Sequence, residues 1–241
     1  MNKIYYLTIT GFLLISCSKE IIWNAGEDLT RTITLDPYNV IEINSIFDVQ
    51  LVQDSNDFVK ITCGRNLMDR VKVNQNAEVV EISEFSDMNW TRSYRRTLIE
   101  LHFKELQQIH INDCVKMESK GPFKGQFISV WVTCDLSEVD LQVLCDHFYI
   151  MVSEDNFGIY KVSGVTGSSS LELQGTAHFR MENLETDSCH VLHKGIGDCY
   201  VNVRNLLKGE ITGKGTLLYK TNPALKVQVN TEKGKVIPVA P

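Results

Sequence analysis

The stretch Lys194-Gly195-Ile196-Gly197-Asp198, echoed by Thr212-Gly213-Lys214-Gly215-Thr216, decides the fold. Each is a glycine-marked bend between two short alternating runs. Cys189-His190-Val191-Leu192-His193 enters the first bend and Cys199-Tyr200-Val201-Asn202-Val203 leaves it. The two bends begin 18 residues apart. A strand–bend–strand unit repeated at that period is the mark of a solenoid, in which each unit is too small to bury its own apolar face.

Working outward, bends begin near Asn112, Thr133, Ser153, Gln174, Lys194, Thr212 and Thr231, at gaps of 21, 20, 21, 20, 18 and 19 residues. The runs after them place Val115 and Met117, Val139, Leu141 and Val143, Phe157 and Ile159, Phe179 and Met181, Cys199, Val201 and Val203, then Leu217 and Tyr219 on one alternate set. The runs before them do the same with Phe148, Ile150 and Val152, and with Leu171 and Leu173. On a strand one such set points inward and the other outward. Glu172, Arg180, Glu182, Asn202 and Arg204 fall on the outer set. A β-sandwich also has short strands with regular turns. The near-constant gap favours the parallel β-helix, an all-β solenoid of about 20-residue rungs.

Upstream, alternation predicts strands over 31–35, 40–44, 47–53, 58–62, 71–73, 79–82 and 98–103, a strand cap to the solenoid. Asn66–Arg70 fits a single helical turn. The loop Ser83–Arg96 is unusual in carrying Phe85, Trp90 and Tyr94 beside Arg92, Arg95 and Arg96. Aromatics and arginines dominate binding hot spots, so Trp90, Arg92 and Tyr94 are candidate contacts. An elongated hairpin whose aromatics fold back on the core is the preferred reading.

The first residues read as an address. Lys3 precedes a mostly apolar run, Ile4–Ile15, too short to span a bilayer and suited to a signal peptide over 1–16. It ends at Leu14-Ile15-Ser16-Cys17, which resembles the bacterial lipoprotein box. Cys17 is thereby expected to carry the lipid, with 17–30 as a tether and 31–241 as one β-solenoid domain. Acyl chains would hold the protein on a membrane surface, as an outer-membrane lipoprotein of the cell envelope. Ser18-Lys19-Glu20 leaves the periplasmic and outward faces both open.

Composition narrows the rest. Of 241 residues, 43% are hydrophobic and 22% charged, with a formal net charge of -6, so an ordinary folded core is expected. A mildly acidic chain lacks the basic face that nucleic acid demands, so no nucleic-acid partner is expected.

Ser45-Ile46-Phe47-Asp48-Val49-Gln50-Leu51, the Lys194–Val203 unit and Thr212–Pro223 resemble the auto-transporter adhesin head GIN domain, a family common among Bacteroidetes envelope lipoproteins. In that family each rung tends to carry Ser-Gly-Ala-Ser/Gly-Asp at its bend. Lys194-Gly195-Ile196-Gly197-Asp198 keeps both glycine-type positions and the aspartate, Gln174-Gly175-Thr176-Ala177-His178 keeps one glycine, and Thr133-Cys134-Asp135 keeps none. The resemblance covers roughly 31–237 and implies a parallel β-solenoid and an envelope location.

Few constellations carry chemistry. Besides Cys17, the six cysteines Cys63, Cys114, Cys134, Cys145, Cys189 and Cys199 follow the repeat, and are expected as free buried thiols, with one disulfide the lesser outcome. No C-x-x-C pair exists, and His190 and His193 fall on opposite strand faces, so no metal site and no cofactor are expected. Asp135 and Asp155 sit at corresponding bends one rung apart and could share a proton as an acid pair, as in sugar-cleaving solenoids. Aspartate also favours turns for its own sake, and no third partner recurs in register. The sequence thus points to a non-enzymatic, adhesin-like binding or scaffold module for a glycan or protein ligand. A polysaccharide lyase or hydrolase on the same scaffold is the alternative.

Overall fold

The computed structural model describes residues 25–85, 96–153 and 155–239. It is a two-sided solenoid of about six parallel turns built from sixteen strands. The first eight are β1 (Asp28–Thr34), β2 (Val40–Ile43), β3 (Phe47–Gln53), β4 (Phe58–Gly64), β5 (Val71–Asn76), β6 (Val79–Glu84), β7 (Thr97–Phe103) and β8 (Gln108–Ile111). Five long strands follow: β9 (Lys116–Val132), β10 (Glu138–Val152), β11 (Ile159–Leu173), β12 (His178–His193) and β13 (Asp198–Ile211). β14 (Thr216–Lys220), β15 (Ala224–Val229) and β16 (Lys235–Pro238) close the stack.

Every bend read from the sequence lies at a strand end. β8 stops at Ile111, β9 at Val132, β10 at Val152, β11 at Leu173, β12 at His193 and β13 at Ile211, each one residue before the expected bend. These bends form the glycine corner of the solenoid. A second corner lies inside the long strands, where the ladder turns without breaking. In β10 the buried set runs Val139, Leu141, Val143, then changes phase to Phe148, Ile150, Val152. Two apolar faces therefore look at each other across a thin core. At this second corner Thr166 and Thr186 stack in register and point inward. Their hydroxyls donate to the carbonyls of Ser168 and Ser188, both at 2.9 Å. A local side-chain hook of this kind bends a strand while satisfying the groups it buries.

Face one runs β1-β4-β7-β3 and then the first halves of β9 to β13, ending in β14 and β16. Face two runs β5-β6-β2-β8 and then the second halves, ending in β15. The early rungs are out of chain order: β2–β3 lies between β6–β7 and β8–β9. The N-terminal edge is antiparallel, with β1 on β4, β4 on β7 and β5 on β6. The 3-10 turn Met68–Arg70 and its neighbour Leu67 cross between the faces there and bury Leu67 and Met68. The first strand starts at Asp28, so the described chain is already sheet in the last residues expected as tether.

The core is one column of stacked side chains, with Phe47, Phe103, Phe123, Phe148, Tyr160 and Phe179 all fully buried. Phe103 meets Phe123 edge-on at 5.6 Å, and Tyr160 meets Phe179 the same way. Such edge-to-face pairs add to the area they bury. Two positions expected inside are outside. Phe157 is 59% exposed and Ile159 42% exposed. The buried amide of Asn156 takes the inward place instead, donating to the Cys134 carbonyl at 2.8 Å and accepting from the Gly158 N–H at 2.7 Å. The inward set resumes at Tyr160 and Val162.

Close backbone approach explains the corner glycines. A Cβ on Gly197 would run into the carbonyl oxygen of Ala177 on the rung below. By contrast, Gly121 has nothing within 4 Å of a built Cβ and is glycine for its φ of +132° alone. Gly197→Ala is expected to cost ~3 kcal/mol, and Gly121→Ala only about 1 kcal/mol, in urea unfolding.

His193 sits fully buried at the same corner. One ring nitrogen, Nε2, lies 2.9 Å from the Gly197 carbonyl, and Nδ1 has no partner among the described residues. Burial lowers its pKa from the usual 6.5. The unfolded chain therefore takes up the proton more readily. The contribution of His193 to stability is complete above about pH 6.5 and is lost as pH falls through its depressed folded value. Unfolding titrations of His193→Gln should show a flatter acid limb than those of the unaltered protein.

Candidate ligand-binding faces

Face one carries a charged trough. On the outer set, parallel pairing lines up Asp48, Lys116, Glu138 and Ile159 in one row, and Gln50, Glu118, Asp140 and Lys161 in the next. The trough comprises two adjoining depressions of about 340 and 450 Å³ that share Lys116 and Glu118. Arg96, beside the start of β7, reaches over one end with its guanidinium 3.7 Å from Asp48. Gln50 and Lys120 both donate to Glu118, at 3.0 and 2.9 Å. The Lys120 hydrogen bond pulls the Glu118 carboxyl below its ordinary range. Asp54, outside the trough just past the end of β3, is lowered in the same sense by the Ser55 N–H and the His102 ring. These groups are held as carboxylates, the opposite of what a general acid needs.

Face two carries an aromatic strip. His110 and Trp131 are neighbours on adjacent rungs, nearly parallel with ring centres 6.2 Å apart. Tyr149 follows at 4.9 Å from Trp131. Its hydroxyl donates to Glu172 at 3.2 Å, and burial with the nearby Glu172 charge raises its pKa to about 12. All three rings are half-buried, and a polar chain runs beside them from Thr133 through Asn112 to Asn44. Neither surface was singled out from sequence. The trough mixes residues from β3, β9, β10 and β11, and only the parallel register places them side by side.

The expected site residues are placed as follows. Cys17, Trp90, Arg92 and Tyr94 lie outside the described residues. Asp135 and Asp155 are both exposed at the glycine corner, on successive rungs. They are not stacked. The Phe157 N–H donates to the Asp135 carbonyl at 2.7 Å, as the Ile159 N–H does to Ser137 where Ile159 pairs with Glu138, so Phe157 pairs with Leu136 and Asp155 is one position out of register with Asp135. The cysteines Cys63, Cys134, Cys189 and Cys199 are free and buried, while Cys114 and Cys145 are free and half-buried. His190 is exposed and His193 buried, as their spacing requires. Among the described residues no group of His, Cys, Asp or Glu is placed to hold a metal ion.

A stack of parallel rungs with long open faces defines the chain as a β-solenoid. Residues 37–223 match the family described as "Putative auto-transporter adhesin, head GIN domain", and the chain belongs to it. Solved structures share the fold. One is a putative adhesin from Bacteroides fragilis NCTC 9343, with a TM-score of 0.81 and 16% identity over 88% of this chain and 97% of that one. Putative adhesins from Parabacteroides distasonis ATCC 8503 and Parabacteroides merdae ATCC 43184 give TM-scores of 0.63 and 0.61. They are 18% and 19% identical, each over 89% of this chain, and over 98% and 97% of their own. No curated protein matches the sequence.

Proposed function

We propose that the protein is a non-enzymatic, adhesin-like binding module of the cell envelope that takes an extended ligand, a glycan or another protein, along face one. The observation that carries this reading is the trough, which crosses the outer rows of four parallel strands from Asp48 to Lys161 without closing into a pocket. Open rows that mix carboxylates and ammonium groups suit a chain-like partner contacted repeatedly, rung after rung. It suits a small enclosed substrate poorly. The ionised state of Glu118, against a floor of neutral amide and lysine donors, also favours binding over acid catalysis.

The address belongs to the same proposal: a signal peptide over 1–16, a lipid on Cys17, and a tether to the first strand of an outer-membrane lipoprotein. The support is the apolar run ending at Ser16-Cys17 and membership of an adhesin-like family. Cys17→Ser is expected to release the protein from the membrane fraction; continued co-sedimentation with membranes would refute the anchor.

Binding is tested on a glycan array and by pull-down of envelope proteins with the full chain. Lys116→Glu with Lys161→Glu should weaken the ligand so found by about tenfold, because opposing charges then meet like ones. Undiminished binding by this pair would move the site elsewhere. Release of reducing sugar by the unaltered protein, abolished in Asp135→Asn, would overturn the non-enzymatic reading.

A further inference from the structure

The glycine corner forms an outer ridge with an ordered charge pattern. Seven corners stack along it, at 112–115, 133–137, 155–158, 174–177, 194–197, 212–215 and 230–234. The first three present Asp113, Asp135 and Asp155. The last three present Lys194, Lys214 and Lys233. The middle corner, with Gln174 and Thr176, is neutral. Asp198 and Glu232 are the acidic exceptions on the lysine side. Among the described residues, Asp135, Asp155 and these three lysines enter no ion pair. Elsewhere some cations are matched, Lys60 with Glu100, Lys104 with Asp57, Arg180 with Glu182 and Arg204 with Glu185, while the trough residues Lys116 and Lys161 also enter no ion pair among the described residues.

The same ridge exposes large apolar side chains. Leu136 is 50% exposed, Phe157 59% and Ile196 57%, on the second, third and fifth corners. The backbone places Phe157 above the second corner and Ile196 above the fourth, at Gly175. A polar turn needs none of these residues. An apolar strip flanked by unmatched charges of opposite sign at its two ends is the anatomy of an interface.

We propose that this ridge is the contact surface of a homodimer, in which two copies lie side by side and antiparallel about a two-fold axis through the fourth corner. The sequence of groups is self-complementary about that point. The third corner of one copy meets the fifth of the other, setting Asp155 against Lys194 and Phe157 against Ile196. The second meets the sixth, setting Asp135 against Lys214. The first meets the seventh, setting Asp113 against Lys233. Both columns climb at the same ~4.8 Å per rung, so the pairs stay in step along the whole ridge. An isologous contact of this kind closes on itself and leaves no end to propagate. The strip is about 29 Å long and one corner wide, below the standard size of specific interfaces, so the pairing is weak and transient and depends on salt and concentration.

The inference is tested by sedimentation of the full chain at rising concentration in low and high salt, with thermal melts confirming that each variant folds. The unaltered chain should dimerise in low salt and dissociate in high salt. Asp135→Lys with Asp155→Lys should weaken the dimer by about tenfold or more, and Lys194→Asp with Lys214→Asp should do the same. Mixing the two double variants should restore association as a heterodimer, and a chain carrying all four changes should dimerise alone. A monomer at every concentration overturns the proposal and leaves the ridge to a different protein. A dimer indifferent to both reversals overturns it equally, by placing the contact elsewhere.

Discussion

Parallel backbone stacking is the constraint from which everything else follows. A rung of this chain has an apolar inner set and a polar outer set, and alone it can cover neither its core nor its hydrogen-bonding edges. Laying the next rung on top satisfies both at once. Register is then inherited upward: β9 to β10, β10 to β11 and β11 to β12 pair residue for residue over most of their length. Irregularities are confined to places such as Asp140/Gln142 and Lys161/Ser163, where one rung carries extra residues. Gly197 and Gly213 stand where a side chain would collide with the rung beneath. Asn156 and His193 occupy inward corner places because each finds a backbone carbonyl there.

Inheritance of register turns sequence spacing into surface pattern. A residue type repeated at one position of successive rungs becomes a row. The trough on face one, the aromatic strip on face two and the charged ridge at the glycine corner are all rows of this sort. Each mixes residues about twenty apart in the chain, and each is long, open and shallow. That geometry favours partners that are themselves extended: a polymer, another protein, or a second copy of the solenoid.

Much of the fold was legible in the residues. Alternation at Phe47-Asp48-Val49-Gln50-Leu51 fixed β3 to the residue, and the spacing of bends from Asn112 onward located six strand ends. Three things were not legible. The second corner has glycines only on some rungs, Gly125 on β9 and Gly164 and Gly167 on β11, and is otherwise made by Thr166 and Thr186 bonding locally, and threonine is at home in strands. The displaced order of the β2–β3 and β6–β7 rungs rests on pairings between distant residues, such as Ile41 with Val80 and Ile109 together. Phe157 and Ile159 obeyed the inward pattern by type, but a buried asparagine with two backbone partners outcompeted them for the corner. The trough and the ridge were hidden for a related reason. Charge on one residue is uninformative until the register says what lies above and below it.

Distances between spin labels, attached without using cysteine, test the stacked architecture most directly. Asp48 and His178 lie on one row of face one, separated by four strand spacings through Lys116, Glu138 and Ile159. β16 lies three further strands along the same face. The solenoid predicts about 19 Å from Asp48 to His178 and about 34 Å from Asp48 to Lys235, rising in even steps with rung number. Separations that do not grow with rung number, as two facing antiparallel sheets would give, would contradict it.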